Sequence, residues 1–413
     1  MRAEVIAIGD ELTSGQRLDT NSQWLSERLT ELGVQVAFHT TIGDALNDNI
    51  AAFQAAIQRA DVVVSTGGLG PTADDLTREA MAADTGAKLV RDATSLAHIR
   101  QLFERRGRTM PEHNVVQADF PAGSQPIPNP NGTAPGIAMS VERAGRGDCL
   151  LFALPGVPVE MHAMWEATVA PAVATAQPEP RVIRHRRIKC FGVGESHLEA
   201  MLPDLIRRGR EPSVGITVSD ATITLRITAA GRDEASCYAA MEPTVATIRE
   251  ALGTLVFGEE DDELEDVVAR LLAARRQTVA VAEWATDGLV TQWLATAEES
   301  ALAAGVTITD SRQLQQILPA QLPATEIAAH ESATASAMAE AVRNAAQANF
   351  GLGIAAFPPQ RDQADARVCA SLATADRTHR WRFGCSAHPA IVRSRTAKQA
   401  LNALRLLLLE RDG

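Results

Sequence analysis

Over residues 1–170 the chain alternates short apolar runs with longer amphipathic ones. The runs AEVIAIG, VQVAFHTTIG and DVVVSTGG have the length and apolar character of buried strands. Between them, NSQWLSERLTELG and LNDNIAAFQAAIQRA predict two helices, and Gly33 ends the first of these. The apolar face of that first helix comprises Trp24, Leu25, Leu29 and Leu32. Strands and helices that alternate in this way predict a parallel sheet with helices covering its faces.

Changes in composition divide the rest of the chain into two further domains. After the linker TAQPEP, residues 181–256 combine the basic segment RVIRHRRIK, two helical segments and the alternating run GITVSDATITLRITA, which predicts a small α+β domain. The acidic stretch GEEDDELED leads into a third domain, residues 262–413. That domain opens with a helix and the strand QTVAVAE and ends in the helix TAKQALNALRLLLLE.

Four loops rich in glycine, proline or polar residues flank the apolar strands of the first domain. They are GDELTSGQRLDTN (9–21), STGGLGPTADD (65–75), PNPNGTAPG (128–136) and LPGVPVEM (154–161). Open α/β sheets bind their ligands at the carboxyl ends of the strands. We therefore expect the four loops to meet at one edge of the sheet.

The second of these loops has the composition of a phosphate-binding loop. A glycine-rich loop between a strand and a helix exposes backbone N–H groups and lets a phosphate approach closely, and Gly67, Gly68 and Gly70 can provide both. A tight connection is the simpler interpretation. In that interpretation Asp74 and Asp75 begin the next helix, where the helix dipole favours negative charge.

Carboxylates from the first loop favour the phosphate interpretation. Asp10, Glu11 and Asp19 follow the first strand and are expected at the same sheet edge as Asp74 and Asp75. Several carboxylates beside a phosphate repel it unless a divalent cation bridges them. The pattern therefore indicates metal-assisted chemistry on a phosphate ester or anhydride.

Composition excludes some classes of partner. The formal net charge of -12 argues against a general nucleic-acid or membrane-surface binder, because such proteins need a basic surface. Five widely spaced cysteines without CxxC pairs fit a reducing compartment. No apolar run approaches ~18 residues and the N-terminus lacks the layout of a signal peptide, so we expect a cytoplasmic protein with no membrane association.

The motifs IGDELTSGQRLDTN, STGGLGPTADDLT, NPNGTAPG and LPGVPVEM together closely resemble the CinA (competence/damage-inducible protein A) family. The resemblance implies a three-layer α/β/α first domain with the molybdopterin-binding fold of MogA and MoaB. It also implies a small KH-type α+β domain over 181–256 and an α/β nicotinamide-nucleotide amidase-like domain over 262–413. By the same resemblance, the first domain would be an ADP-ribose pyrophosphatase. It would use a divalent metal (Mg, Mn or Co) and K+, and it would release AMP and ribose 5-phosphate from its nucleotide diphosphate substrate. A homodimer is the expected assembly.

The resemblance and the residue chemistry together assign roles to individual positions. The catalytic set is Asp10, Glu11, Asp74 and Asp75, and the metal-binding set is Asp10, Asp19, Asp74 and Asp75. The residues expected to contact the nucleotide or its phosphates are Gly67, Gly68, Gly70, Thr72, Asn21, Thr133, Gly156 and Glu160. Of these, Asn21, Thr72 and Glu160 have an equally simple interpretation as caps or clasps within the loops.

The middle and third domains lack sequence features of functional KH modules and of active amidases. A KH module clamps nucleic acid with a GxxG loop, whereas GVGES has GxG, and the basic RVIRHRRIK is typical of a solvated strand edge. The family's amidase begins Glu-Ser-Cys-Thr-Gly-Gly, and Trp284 occupies the place of its serine nucleophile. The tyrosine and lysine that activate this serine are also missing, because Tyr238 is the only tyrosine and Lys398 the only lysine after residue 258. Nucleic-acid binding is therefore not expected, and amidase activity is predicted to be absent.

The sequence leaves two other functions open. A nucleotidyl or molybdopterin transferase would keep AMP on an acceptor instead of releasing it. A non-catalytic nucleotide- or molybdopterin-binding protein, or a competence-related partner protein, would bind the ligand and leave it intact.

Overall fold

The computed structural model describes residues 1–177, 181–207, 209–317, 331–359, 363, 365–385, 388 and 390–410. These residues form two compact units. The first comprises Met1–Arg184 and Ala229–Ala239, and the second comprises the other described residues. In the described part of the chain, no helix has both the length and the apolar character that crossing a membrane requires.

A six-stranded sheet forms the centre of the first unit. The strands of this unit are β1 (Arg2–Ile8), β2 (Gln35–Ile42), β3 (Val62–Thr66), β4 (Leu89–Arg91), β5 (Asp119–Pro121), β6 (Gln125–Ile127), β7 (Gly136–Arg143) and β8 (Arg146–Leu154). Its helices are α1 (Asp10–Thr13), α2 (Thr20–Glu31), α3 (Leu46–Arg59), α4 (Thr77–Thr85), α5 (Ala93–Arg105), α6 (Pro158–Met164) and α7 (Ala170–Ala176). The main sheet has the order β2-β1-β3-β8-β7-β6, and β4 pairs with β5 separately.

The expectation of a parallel sheet is correct for four strands and wrong for two. Strands β2, β1, β3 and β8 are parallel, but β7 pairs antiparallel with β8 and β6 with β7. Only Ala144 and Gly145 connect β7 to β8, and Gly145 has a φ of 73°. A two-residue connection can join only antiparallel strands, and its positive φ suits glycine. The sheet is therefore mixed.

Alternating side chains of the sheet build two hydrophobic cores, one on each face. On β1, Ala3 and Val5 pack with α2 and α6, whereas Ile6 and Ile8 pack with α3 and α4. Successive strand residues point to opposite faces, so helices on both sides give three layers. The predicted three-layer α/β/α architecture is confirmed.

Helix α4 begins later than the interpretation with Asp74 and Asp75 at a helix start predicts. Asp74 and Asp75 lie in the loop before α4, and the helix starts at Thr77. The carboxylate of Asp75 accepts from the backbone N–H of Gly70 and Thr72, at 2.8 and 2.9 Å. These bonds close the loop back on itself, so the chain becomes helical only after it.

The middle region has the predicted α+β composition. Its elements are β9 (Val182–Cys190), α8 (Glu195–Met201), β10 (Ser213–Ser219), β11 (Thr222–Gly231), α9 (Glu234–Leu252) and β12 (Val256–Glu259). The strand order is β10-β11-β9-β12.

The C-terminal region contains a mixed five-stranded sheet with the order β14-β13-β15-β16-β17. Its elements are α10 (Leu264–Ala274), β13 (Val279–Glu283), α11 (Leu289–Thr296), β14 (Leu302–Thr307), α12 (Ser311–Ile317), α13 (Ser332–Ala346), β15 (Phe350–Ile354), β16 (Arg367–Ala373), β17 (Thr378–Gly384) and α14 (Val392–Glu410). Along β13, Val279 and Val281 pack with α10, α11 and α14, whereas Ala280 and Ala282 pack with α13. This region is therefore also layered, which confirms the α/β class.

Candidate functional site

The four loops of the first domain meet at the carboxyl ends of β1, β3 and β8, as their positions after the strands predict. They enclose a cleft of about 490 Å³. The predicted site residues that line it are Glu11, Gly67, Gly68, Gly70, Asp74, Asp75, Thr133, Gly156 and Glu160. Asp19 and Asn21 line a small adjoining depression with Glu11, whereas Asp10 and Thr72 belong to the same loops without lining the cleft.

The backbone of the glycine loop (residues 67–76) requires glycine at its start. Gly67 and Gly68 have φ values of 106° and 65°, which disfavour residues with a side chain. A Cβ atom at Gly67 would collide with the carbonyl oxygen of Ile8, and one at Gly68 would collide with the hydroxyl of Thr77. The loop can therefore pass close to β1 and to α4 at once.

Asp75 fixes the shape of the glycine loop. In addition to the N–H groups of Gly70 and Thr72, its carboxylate accepts a bond from the hydroxyl of Thr72. Its predicted role as a metal ligand or base remains a prediction. The observed bonds show Asp75 and Thr72 as a clasp, the alternative that the sequence had left open for Thr72.

Arg78 anchors the loop from behind and was not identified from the sequence. Its side chain is buried, and its guanidinium donates to the carbonyl oxygens of Leu69 and of Gly70, the latter at 3.2 Å. Burial lowers the pKa of Arg78 to about 10, although nearby carboxylates, including Asp75, oppose that shift. A guanidinium that holds two consecutive carbonyl groups fixes the orientation of the intervening peptide.

The hydrogen bonds of the loop show which amides remain available to a ligand. The Gly67 N–H donates to Leu154 O at 3.0 Å, and the Gly70 N–H donates to Asp75. The N–H groups of Gly68 and Leu69 donate to no protein acceptor in the described part of the chain. Of the three glycines expected to contact a phosphate, only Gly68 thus keeps an uncommitted backbone donor.

Carboxylate side chains line the cleft beside the glycine loop. Glu11, Asp44 and Asp74 line the cleft, and Asp10 bonds reciprocally with Asp44, N–H to carboxylate, at 3.0 and 3.1 Å. Burial raises the pKa of Asp44, and repulsion from Asp10, Asp74 and Glu11 adds to the shift. Hydrogen bonding within the loop holds the pKa of Asp74 below its usual range. Arg17 also lines the cleft and contributes one positive charge there.

The chemistry of these donors suits a hard divalent cation. Mg²⁺ takes oxygen ligands and is commonly bound by one or two carboxylates together with substrate phosphates. Among the described residues, no three His, Cys, Asp or Glu side chains form a complete metal cage. The donor types therefore fit a metal shared between the cleft and a phosphorylated ligand, and Glu11 and Asp74, which both line the cleft, are the side chains that would hold it.

Asp19 and Asn21 hold the first loop in place. The Asp19 carboxylate caps α2 by accepting from the Ser22 N–H at 2.9 Å. The Asn21 side-chain amide donates to Thr66 Oγ1 and to Gly156 O, at 3.1 and 2.9 Å. Asn21 therefore joins three of the four loops, as the clasp alternative predicted. The expectation that Asp19 binds metal stays a prediction.

Asn129 organises the third loop and was also missed. It is buried, and its side-chain amide donates to Glu160 Oε2 at 2.7 Å and to Ala134 O at 2.9 Å. Its oxygen accepts from the Asn131 and Gly132 N–H groups, at 3.0 and 2.8 Å. This fourfold bonding presents Thr133 to the cleft and fixes Glu160 beside it.

One of the missed residues had a visible signal in the sequence. The tripeptide Ile-Gly-Asp ends both of the first two strands, at residues 8–10 and 42–44, so Asp44 occupies the position in its loop that Asp10 occupies in the first. Arg78 and Asn129 had no comparable signal, because their roles depend on contacts with loop backbone that no local pattern encodes.

Family models match almost the whole chain. Residues 4–175 match a family described as "Probable molybdopterin binding domain", and residues 185–258 match "Damage-inducible protein CinA KH domain". Residues 261–408 match "CinA C-terminal domain".

Curated relatives agree with these matches. A "CinA-like protein" from Frankia casuarinae is 39% identical over 393 residues, which cover 92% of this chain and 89% of that protein. A "CinA-like protein" from Dictyoglomus turgidum is 41% identical over 290 residues, covering 70% of this chain and 69% of that one. The structure of CinA "with unknown function" from Thermoplasma acidophilum is 35% identical and covers 42% of this chain and 99% of its own, with a TM-score of 0.38.

Proposed function

The chain belongs to the CinA family, and from this premise and the geometry of the cleft we propose that its first domain hydrolyses ADP-ribose to AMP and ribose 5-phosphate. The observation that carries the proposal is the presence, in one cleft, of uncommitted backbone donors at Gly68 and Leu69 and of carboxylates at Glu11, Asp44 and Asp74. Donors for a phosphate and carboxylates for a cation are the two requirements of diphosphate hydrolysis.

In this proposal, some residues of the cleft contact the ligand and others hold the loops in place. The Gly68 and Leu69 N–H groups donate to diphosphate oxygens, and Arg17 supplies a charge-assisted donor at the cleft edge. Asp75, Arg78, Asn21 and Asn129 hold the loops in the geometry that presents these groups. Pre-organised donors stabilise developing negative charge without a cost of reorganisation during the reaction.

Two carboxylates of different pKa suit two different roles. The lowered pKa of Asp74 keeps its carboxylate ionised, which suits a cation ligand together with Glu11. The raised pKa of Asp44 makes its carboxylate the better proton acceptor, so Asp44 is the proposed base for the attacking water. A bound Mg²⁺, Mn²⁺ or Co²⁺ supplies Lewis-acid stabilisation of the phosphate oxygens. A requirement for K+ and assembly as a homodimer are further parts of the proposal, taken from the family resemblance.

The third domain is proposed to be silent as an amidase. Glu283 is fully buried and its carboxylate accepts from Thr286, Val290 and Thr291, so it holds the start of α11. Trp284, at the place of the family's nucleophile, is half-buried and packs against the hydrophobic cluster that includes residues of α13. Lys398 donates to Thr222 at 2.9 Å and pairs with Asp220 and Glu263, both at 3.5 Å. These contacts favour a structural role for each residue.

The test is hydrolysis by the full chain. Purified protein is incubated with ADP-ribose and Mg²⁺, Mn²⁺ or Co²⁺, in K+ or Na+ buffer, and the products are separated chromatographically. Equal release of AMP and ribose 5-phosphate that is abolished by chelation is the expected result. The control is Asp48→Asn, which changes an exposed carboxylate in the first turn of α3 outside the cleft.

Two other outcomes would replace the proposal. Transfer of AMP to a pterin acceptor, instead of its release, would identify a nucleotidyl or molybdopterin transferase. Saturable, metal-dependent binding of ADP-ribose without any cleavage would identify a nucleotide-binding or partner protein.

A further inference from the structure

A second and larger cavity, of about 940 Å³, lies within the second compact unit. One wall is formed by the β10–β11 hairpin and the loop after β9, and the other by β17 and α14. Its volume is typical of sites for small organic ligands. None of its lining residues belongs to the cleft of the first domain, so its role is independent of the function proposed above.

One side of this cavity is aromatic. His379, Trp381 and Phe383 alternate along β17 and therefore share a face of the sheet, and the first two rings are stacked at 5.9 Å and 10°. The intervening Arg380 donates to Ser336 of α13, on the opposite face. Stacked aromatic side chains at a cavity wall are a platform for a planar ring, since base–aromatic stacking tolerates any heterocycle.

Helix α14, which forms the same wall as these rings, presents a hydrogen-bonding edge. Gln399 and Asn402 are three residues apart on α14 and both line the cavity. Asn402 Oδ1 accepts from Arg405 Nε at 2.9 Å. A guanidinium only donates, so this bond fixes the orientation of the Asn402 amide and leaves its NH₂ group for another partner.

Gln399 supplies the complementary acceptor. Its Oε1 is buried and has no hydrogen-bond partner in the part of the chain that the structure describes. A buried polar atom without a partner costs free energy, and a ligand that donates to it would recover that cost. The Asn402 NH₂ group and the Gln399 oxygen are a donor and an acceptor, the two kinds of group that a nucleobase edge can pair with.

The charges around the cavity select against phosphate. Among the described residues that line it, Glu195, Asp220 and Glu410 are opposed by one cation, Arg395. Asp220 is paired with Lys398, but the other two carboxylates still leave a negative balance. A phosphate group or a phosphodiester chain would meet net repulsion here, since its binding needs a basic surface.

We propose that this cavity binds an uncharged nucleobase or nucleoside, with its ring stacked on Trp381 and its polar edge bonded to Gln399 and Asn402. The aromatic wall provides the stacking surface and α14 provides the specificity. The absence of phosphate from the ligand distinguishes this site from that of the first domain, whose proposed ligand is a diphosphate.

Equilibrium dialysis or calorimetry on the full chain tests the proposal. The probes are adenosine, guanosine, cytidine and uridine, each with its 5′-monophosphate, and a short oligoadenylate. We expect saturable binding of at least one nucleoside, with the matching monophosphate bound about tenfold more weakly or worse. Failure of all four nucleosides to bind, or tighter binding of the monophosphate or the oligonucleotide, would overturn the proposal.

Variants locate the bound ring. Trp381→Ala should weaken nucleoside binding about tenfold or more, because it removes the stacking surface. Gln399→Leu should reduce discrimination among the four nucleosides, because it removes an edge contact while keeping the volume of the side chain. Arg382→Ala, on the opposite face of β17 from Trp381, is the matched control and should bind like the wild type. Equal nucleoside binding by Trp381→Ala and the wild type, in protein with an unchanged unfolding midpoint, would place the ligand elsewhere and refute the assignment.

Discussion

Two strand ends, one in each compact unit, share one local plan but use their polar groups in opposite ways. After β3 the chain enters the glycine loop and then α4, and after β13 it enters the segment EWATDG and then α11. In each case a carboxylate closes the turn by accepting backbone N–H groups, Asp75 in the first and Glu283 in the second. The two turns are therefore held by the same kind of bond.

The difference lies in the donors that remain after closure. Asp75 satisfies Gly70 and Thr72 within its loop and leaves the Gly68 and Leu69 amides uncommitted beside an open cleft. Glu283 instead takes the Val290 and Thr291 N–H groups in the first turn of α11, which are the donors that an anionic ligand would use. A strand, loop and helix thus make a ligand site only when the protein's own acceptors do not already use its donors.

The largest expected effect is on catalysis in the first of these turns. Asp74→Asn keeps the shape of an exposed side chain but removes its charge, so cation binding should fail and AMP release should fall by about 100-fold or more. The unfolding midpoint should remain that of the wild type, because Asp74 is exposed and makes no hydrogen bond to another element among the described residues. The measurement is the initial rate of AMP release at saturating metal, with Asp48→Asn as the control. Near-normal turnover would remove Asp74 from the proposed site.

Arg78→Met tests whether the buried guanidinium holds the glycine loop in its observed conformation. The substitution leaves the Leu69 and Gly70 carbonyl groups without their donor while keeping an unbranched side chain, so the first unit should lose about 2–4 kcal/mol of stability. Thermal unfolding and amide hydrogen exchange across residues 67–76 measure the loss and locate it. Arg100→Met, at an exposed position of α5, is the control. Unchanged exchange in the loop would show that Arg78 is not its anchor.

Sequence reasoning succeeded where periodicity or loop position carries the information. The alternation of apolar runs predicted β1 to β3 and the helices between them, and the strand-end rule predicted that four loops share one edge. Sequence reasoning did not reveal that the N–H groups of Gly67 and Gly70 donate to Leu154 O and to the Asp75 carboxylate. Such bonds depend on the three-dimensional path of the loop. For the same reason, the start of α4 at Thr77 could not be read from the two adjacent aspartates.

Asp44→Asn tests the carboxylate cluster through its pH dependence. The folded-state pKa of Asp44 is raised, so its ionisation destabilises the fold at neutral pH, and this cost vanishes below the ordinary carboxyl pKa, where both states are protonated. The variant should therefore unfold at a slightly higher temperature than the wild type at pH 7, and the difference should shrink as the pH falls and disappear below about pH 3, well under the ordinary carboxyl pKa. Added Mg²⁺ should also reduce the difference, because a cation relieves the same repulsion. A wild type that is more stable than the variant at pH 7 without metal would contradict this account.

The smallest expected effect is at the second turn, after β13, where Trp284→Ser should not restore amidase activity. Amide hydrolysis by this route needs a hydroxyl nucleophile, a group that takes its proton and donors for the oxyanion. The substitution returns the hydroxyl, but Glu283 is committed to α11 and Lys398 to Thr222, Asp220 and Glu263, so neither can act as the base. Groups of a catalytic triad act as a unit, and replacing one member alone recovers little activity.

Ammonia release from nicotinamide mononucleotide should therefore stay at background for both the wild type and the variant, with an authentic amidase as the positive control. Turnover by the variant alone would reveal a base at this strand end, and turnover by the wild type would reveal a different nucleophile. Either result would refute the claim that the second turn, unlike the first, has no group available for catalysis.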